Sequence, residues 1–146
     1  MKVNVVNKSS NPLPSYAKPG DAGMDLVAVT KEENDRYIQY KTGLAFEIPN
    51  GYAGFVFPRS SNSNIDLIMS NCVAVIDSGY RGEVMIRFKR VRHQSYIVKE
   101  YPDKTYEIGD KVAQIIIMPY PEIEFEEVGE LSETERGDGG FGHTGK

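Results

Sequence analysis

Cysteine is almost missing from this chain: Cys72 is the single one among 146 residues. One cysteine excludes an internal disulfide framework and fits a reducing compartment. Histidine is nearly as scarce, and two histidines with one cysteine leave a structural zinc site short of ligands. No apolar run is long enough to span a membrane and no signal peptide is evident, so a cytoplasmic protein with no membrane contact is expected. Positive charge is in short supply too, with 17 Lys and Arg against 21 Asp and Glu and a net charge of −4. That balance argues against direct nucleic-acid binding, which needs a basic face, yet leaves room for arginines clustered around a small anion. Neither a Walker sequence nor a G-x-G-x-x-G after a strand is present, which argues against the usual NTPase folds.

What the chain does contain is alternation. Hydrophobic content of 40% and charge of 26% describe one ordinary globular domain. Strands are expected over residues 2–6, from Ala22 through Val29, over 43–48 and 52–57 around the turn Pro49-Asn50-Gly51, and over 112–119. The charged segment 31–36 reads as a solvated turn. Ile123, Phe125 and Val128 end the patterned region, with Glu122, Glu124, Glu126 and Glu127 as the exposed face of a last strand. Short strands with frequent turn signals, and no sustained helical period, predict an all-β sandwich or barrel.

The stretch from Asn71 to Val84 stands at the centre of this pattern. It reads as two strands joined at Ser78-Gly79, with Val73 and Val75 on one side and Val84, Ile86 and Phe88 on the other. Asp77 sits where the apolar run meets the turn, either as an Asx-turn residue bonding its own backbone or as a carboxylate fixed in place yet able to reach a ligand. Three polar interruptions of the β pattern suit phosphate: Arg59-Ser60-Ser61, Gln114, and Arg136 with its glycines. Asp25, alone in an apolar strand start, could orient a metal-bound water, since Mg²⁺ binds largely through waters and substrate phosphates. From Gly129 the composition shifts, and residues 137–145 hold five glycines in nine beside Phe141. Such an arm should be disordered by itself. Cys72 is read as a small buried hydrophobe, and Arg87, Lys89, Arg90 and Arg92 as a solvated strand edge, with His93 at the surface. Tyr52, Phe55 and Phe57 read as core or interface.

Five motifs in order resemble those of the homotrimeric dUTP nucleotidohydrolases (dUTPases). They are Ala22-Gly-Met-Asp-Leu26, Pro58-Arg-Ser-Ser61, Asn71 through Gly82, Gly109-Asp-Lys-Val-Ala-Gln114, and Arg136-Gly-Asp-Gly-Gly-Phe-Gly-His-Thr-Gly145. Each is weak alone, but five in order over nearly the whole chain are specific. The resemblance implies a jelly-roll-like (β-clip) barrel over residues 1–128, and an arm, residues 129–146, that completes a neighbouring subunit's active site. It implies hydrolysis of dUTP to dUMP and pyrophosphate with Mg²⁺, which keeps uracil out of DNA and supplies dUMP for thymidylate synthesis.

Carried over by motif, Asp77 would be the general base that activates water for in-line attack on the α-phosphorus. Asn71 and the backbone around Val75 and Ile76 would read the uracil edge, with Met85 lining the same pocket. Tyr80 would lie under the deoxyribose and leave no room for a 2′-OH. Arg59, Ser60, Ser61 and Gln114 would hold phosphate oxygens, and Asp25 a water on Mg²⁺. In the arm, Phe141 would stack on uracil while Arg136 and Thr144 take the γ-phosphate.

The chain departs from the family pattern in the second motif, Pro58-Arg-Ser-Ser-Asn-Ser63, where Pro-Arg-Ser-Gly-Leu is usual. Asp66 stands where glycine is common, and His143 replaces a small hydroxyl residue. Two other readings compete. dCTP deaminases share the fold but use a glutamate near the hairpin, where this chain carries Asp77. A binding protein could keep the nucleotide pocket as a ligand-controlled docking surface for a regulatory protein partner such as a repressor.

Overall fold

Residues that alternate at period two place one face of each strand in a core and the other in water. The computed structural model, which describes residues 1–91 and 104–140, contains β1 (Asn4–Asn7), β2 (Met24–Val27), β3 (Thr30–Glu33), β4 (Ile38–Lys41) and β5 (Leu44–Glu47). It continues with β6 (Tyr52–Phe57), β7 (Leu67–Met69), β8 (Ala74–Ile76), β9 (Met85–Arg90) and β10 (Lys111–Pro119). The strands pair antiparallel in three sheets: β1-β5, β2-β10-β6-β8 and β3-β4-β9-β7. The one helical turn among the described residues is a 3₁₀ segment, Ser60–Asn64. The expected all-β, jelly-roll-like class is therefore correct. No helix among the described residues is long and apolar enough to cross a membrane.

The core is built from the inward faces: Leu26, Ile38, Tyr40, Leu44, Phe46, Val56, Ile86, Phe88, Val112 and Ile115 are all buried. Tyr40, Phe88 and Tyr106 meet at ring-centroid distances of 5.4 to 6.0 Å. Two of the three pairs are edge-on, as the ring quadrupoles favour. Burial pushes the Tyr40 phenol up to about 12, and its hydroxyl donates to the Tyr106 carbonyl at 3.0 Å.

Several local expectations need correction. The segment 31–36 is not all turn: Thr30–Glu33 forms β3, and only the following residues turn, around Asn34, whose Oδ1 accepts the N–H groups of Arg36 and Tyr37. β3 is an edge strand, so its charges stay hydrated while pairing across: Lys31 with Glu107, Glu32 with Lys41 and Glu33 with Arg90. β4 is a strand that the pattern does not announce, because Gln39 interrupts its apolar run. The fold satisfies that buried amide, which donates to Glu32 and accepts from Arg87 Nε.

The central stretch is not a hairpin. β8 pairs with β6 while β9 pairs with β4 and β7, so residues 77–84 cross from one sheet to another. Val84 decides this: its N–H donates to the Leu44 carbonyl at 2.8 Å, and its carbonyl accepts the Thr42 hydroxyl at 2.8 Å. Those bonds draw the returning chain to the β4–β5 corner.

Cys72 is exposed, not buried, and has φ of +56° in the reversal after β7. Arg87, Lys89 and Arg90 lie on an interior strand, not on an edge, and Arg87 stacks over the Tyr37 ring at 4.2 Å. Arg92 and His93 lie outside the described residues. Asp66 takes no positive φ. The last expected strand is absent: β10 ends at Pro119, and Ile123 and Phe125 are 67% and 92% exposed.

Candidate active site

The reversal after β7, the edge strand β8, the 77–84 crossover and the start of β9 enclose a groove of about 270 Å³. Six residues singled out from sequence line it together: Asn71, Val75, Ile76, Asp77, Tyr80 and Met85. Ala74, Glu83, Val84 and Arg87 complete the lining and carry no motif signal of their own. Alternation marks Val84 as core and Arg87 as outward, but only the crossover brings both to the groove.

Asp77 is exposed, and its carboxylate has no protein partner among the described residues. Its backbone carbonyl, not its side chain, closes the turn by accepting the Tyr80 N–H at 3.0 Å. The Asx-turn reading is therefore not what the fold uses. The Tyr80 ring lies over Gly82, where any Cβ would strike it, and the Tyr80 hydroxyl donates to the Glu83 carbonyl at 3.2 Å. Arg81 ties the loop from behind, with Nη1 donating to the carbonyls of Ser78 and Tyr80.

A second, more polar cluster forms where β2, β10 and the end of β6 come together. Gln114 faces Asp25 on one side and Phe57 on the other. Its Nε2 donates to the Pro58 carbonyl at 3.2 Å, and its Oε1 occupies the space that a Cβ at Gly23 would need. Asp25 accepts Arg59 Nε at 2.7 Å and Lys111 Nζ at 2.8 Å. Partial burial works to raise the Asp25 pKa, but the Lys111 hydrogen bond and the Arg59 charge outweigh it and hold the carboxyl below its ordinary value. Arg59 also reaches Ser61 Oγ at 3.3 Å.

Lys111 belongs to the fourth motif, yet nothing in the motif reading gives it a role. In a regular strand Lys111 and Gln114 would face opposite ways, and a bulge between Lys111 and Ala113 brings both to Asp25. The unusual second motif has a structural use as well: Asn62 donates to the Leu67 carbonyl and accepts the Tyr106 hydroxyl. Ser60 opens the 3₁₀ turn, and its carbonyl accepts Ser63 Oγ.

The described part of the arm, residues 129–140, lines neither place. Arg136 is exposed, with Nε donating to the Gly139 carbonyl at 3.1 Å, and Phe141, His143 and Thr144 lie outside the described residues. Among the described residues, no three His, Cys, Asp or Glu side chains stand close enough to cage a metal.

Comparison with known proteins agrees with these motifs. A family model for dUTPase matches residues 9–145. The deoxyuridine 5′-triphosphate nucleotidohydrolase of Finegoldia magna is 43% identical over 152 residues, covering 99% of each chain. That of Anaplasma marginale is 36% identical over 153 residues, again covering 99% of each. Among solved structures, the dUTPase of Staphylococcus bacteriophage 80alpha with dUPNHPP superposes with a TM-score of 0.81 at 27% identity, covering 99% of both chains. A mutant dUTPase from phage phi11 of S. aureus superposes with a TM-score of 0.69 at 26% identity, covering 89% of this chain and 98% of the other. That structure reveals the coordination of a structural Mg(II) ion. On this evidence the chain belongs to the dUTPase family, the deoxyuridine 5′-triphosphate nucleotidohydrolases.

Proposed function

We propose that the chain converts dUTP to dUMP and pyrophosphate by Mg²⁺-assisted in-line attack of water on the α-phosphorus, at sites shared between the subunits of a homotrimer. The observation that carries the mechanism is Asp77, an exposed carboxylate without a partner among the described residues, in a groove with Asn71 and Tyr80. A general base needs a free lone pair within reach of the water whose proton it takes. The groove's other carboxylate, Glu83, is already engaged by the Gly43 N–H at 2.7 Å.

The groove suits a deoxyuridine. β8 is an edge strand, so the backbone groups of its outer side are left unpaired by β6 and can read the uracil edge beside the Asn71 amide. Cytosine would reverse the donor order and leave buried groups unpaired. Tyr80, held against Gly82, would lie under the sugar and exclude a 2′-OH, while Met85 walls the base. Arg59, Ser60, Ser61 and Gln114 would take the phosphate oxygens. Asp25, held ionised by its two cations, fits a carboxylate that orients a Mg²⁺-bound water. The ion, when bound, would offset charge on the phosphates.

Two observations support the shared site. Asp77 follows Ile76, which faces Gly54 at the beginning of β6, whereas Arg59 follows the end of β6. From Ala53 to Arg59 an extended chain advances about 20 Å at about 3.3 Å per residue. Asp77 and Arg59 of one chain therefore cannot meet at one phosphorus. The second is the stretch after β10, where Ile123, Phe125 and Leu131 are exposed and alternating residues find no strand among the described residues of their own chain. In this reading the barrel is 1–128, and the arm 129–146 brings Arg136, Phe141 and Thr144 to a neighbour's dUTP. The setting would be the cytoplasm, with dUMP passing to thymidylate synthesis.

The test is pyrophosphate release from dUTP, dCTP, dTTP and UTP, with and without Mg²⁺, for native protein and Asp77→Asn. Selective, Mg²⁺-dependent release from dUTP that collapses in the variant is expected. Release that persists in Asp77→Asn would remove Asp77 as the base, and ammonia from dCTP would make the chain a deaminase. Binding of dUTP without turnover would make the pocket a sensor.

A further inference from the structure

The loop that carries Asp77 and Tyr80 crosses between two sheets, so neither sheet's hydrogen-bond ladder holds it. Its support comes from elsewhere. Glu83 Oε1 accepts the Gly43 N–H at 2.7 Å. Next to it, the Thr42 hydroxyl, 2% exposed, donates to the Val84 carbonyl at 2.8 Å and accepts the Leu44 N–H at 3.2 Å. Val84 N–H returns the link to the Leu44 carbonyl at 2.8 Å. Gly43 is held from its other side, where its carbonyl accepts the Lys8 N–H at 2.8 Å. At φ of +71°, with Ser9 atoms 3.0 and 3.1 Å from where a Cβ would be, no larger residue fits there without strain.

The end of this chain of bonds is Tyr80. Its hydroxyl donates to the carbonyl of Glu83, the residue whose side chain is anchored on Gly43. Its ring rests on Gly82, the residue before Glu83. Both contacts that set the ring's height in the groove therefore run through residues 82 and 83. The Gly43 bond directs Glu83 Oε1 to the β4–β5 turn, so the side chain serves as an anchor at the rim of the groove.

We infer that Glu83 is a positioning residue for sugar selectivity: by anchoring the crossover to the β4–β5 turn it fixes the Tyr80 ring where a ribose 2′-OH cannot fit. This deepens the proposed function and rests on its assignment of Tyr80 to the sugar. Discrimination by exclusion depends on rigidity, because a ring free to drop by a fraction of an ångström admits the extra hydroxyl. The bond needs an oxygen acceptor at that reach and not a charge, which separates Glu83→Gln from Glu83→Ala.

The test measures kcat/KM for dUTP and UTP, with thermal midpoints, in native protein, Glu83→Ala, Glu83→Gln and Tyr80→Ala. The ratio of dUTP to UTP should fall about tenfold in Glu83→Ala, mainly through a gain on UTP, and return to within about twofold of native in Glu83→Gln. Glu83→Asp, which keeps the charge but falls one methylene short of Gly43, supplies the same comparison if the alanine variant does not fold. A selectivity lost in Tyr80→Ala but kept in Glu83→Ala overturns the inference alone. Equal losses on dUTP and UTP in Glu83→Ala, tracking a lower midpoint, also overturn it by making the role merely structural. Selectivity kept in Tyr80→Ala overturns the inference together with the sugar assignment on which it rests.

Discussion

Two carboxylates at opposite ends of β6 are treated in opposite ways. Asp25 is enclosed by Arg59 and Lys111 and held ionised by them. Asp77 is exposed, on a turn closed by its own backbone, with no partner among the described residues. A carboxylate balanced by two cations is a weaker base, yet each oxygen keeps a lone pair with which to orient a neighbour. One left open can take a proton, provided that the backbone fixes its position. In the proposed mechanism this contrast separates a holding residue from a reacting one.

The sharpest way to break this comparison is to neutralise each carboxylate in turn. Asp77→Asn should lower kcat by roughly two to four orders of magnitude while leaving the Kd of a non-hydrolysable dUTP analogue within a few-fold, as measured by calorimetry and pyrophosphate release. If Asp25→Asn proved equally severe on kcat with binding intact, the division of labour would be wrong. The separation along β6 gives the next effect. Asp77→Asn and Arg59→Ala chains, each inactive alone, should recover activity when unfolded and refolded together. At equal mixing about a quarter of shared sites would carry both native residues. No recovery would mean that each chain uses its own two residues.

A smaller effect is expected at Gly23. Gly23→Ala places a Cβ against Gln114 Oε1 and should cost roughly ten- to a hundredfold in kcat/KM, with little change in thermal midpoint. An unaltered kcat/KM would show that the Gln114 amide is not needed where it stands. The least effect is on stability. Asp25 has a folded pKa below 3.8, so what its ion pairs contribute is present above that pH and lost as pH falls through the lowered value. Unfolding free energies from urea titrations of native protein and Asp25→Asn should differ by on the order of 1 kcal/mol or less at pH 7 and converge in acid. A gap that stays constant with pH would mean that Asp25 acts by packing and not by charge.

Much of the groove was legible in the chain. Asn71, Val75, Ile76, Asp77, Tyr80 and Met85 lie within a short span, so a local reading could group them. Glu83 and Arg87 lie in the same span yet escape that reading, because only the crossover brings them into the groove's lining. The polar cluster was harder. Asp25, Arg59 and Gln114 come from three distant segments, and Lys111 joins them only through a bulge that shifts the strand's facing by one residue. The 2.0 period cannot announce such a shift.

By itself the sequence determined the all-β class, the buried face of β9 and the order of the five motifs, because alternation and turn chemistry act between near neighbours. Only the tertiary structure decided that β8 and β9 part into different sheets, that the charged segment after Val29 forms an edge strand, and that Cys72 is exposed. It also decided that the phosphate-type cluster stands a full strand length from Asp77. Those outcomes depend on which distant groups take up a residue's backbone N–H and carbonyl, as Leu44 takes the N–H of Val84 and the Thr42 hydroxyl its carbonyl, and local pattern carries no record of those partners.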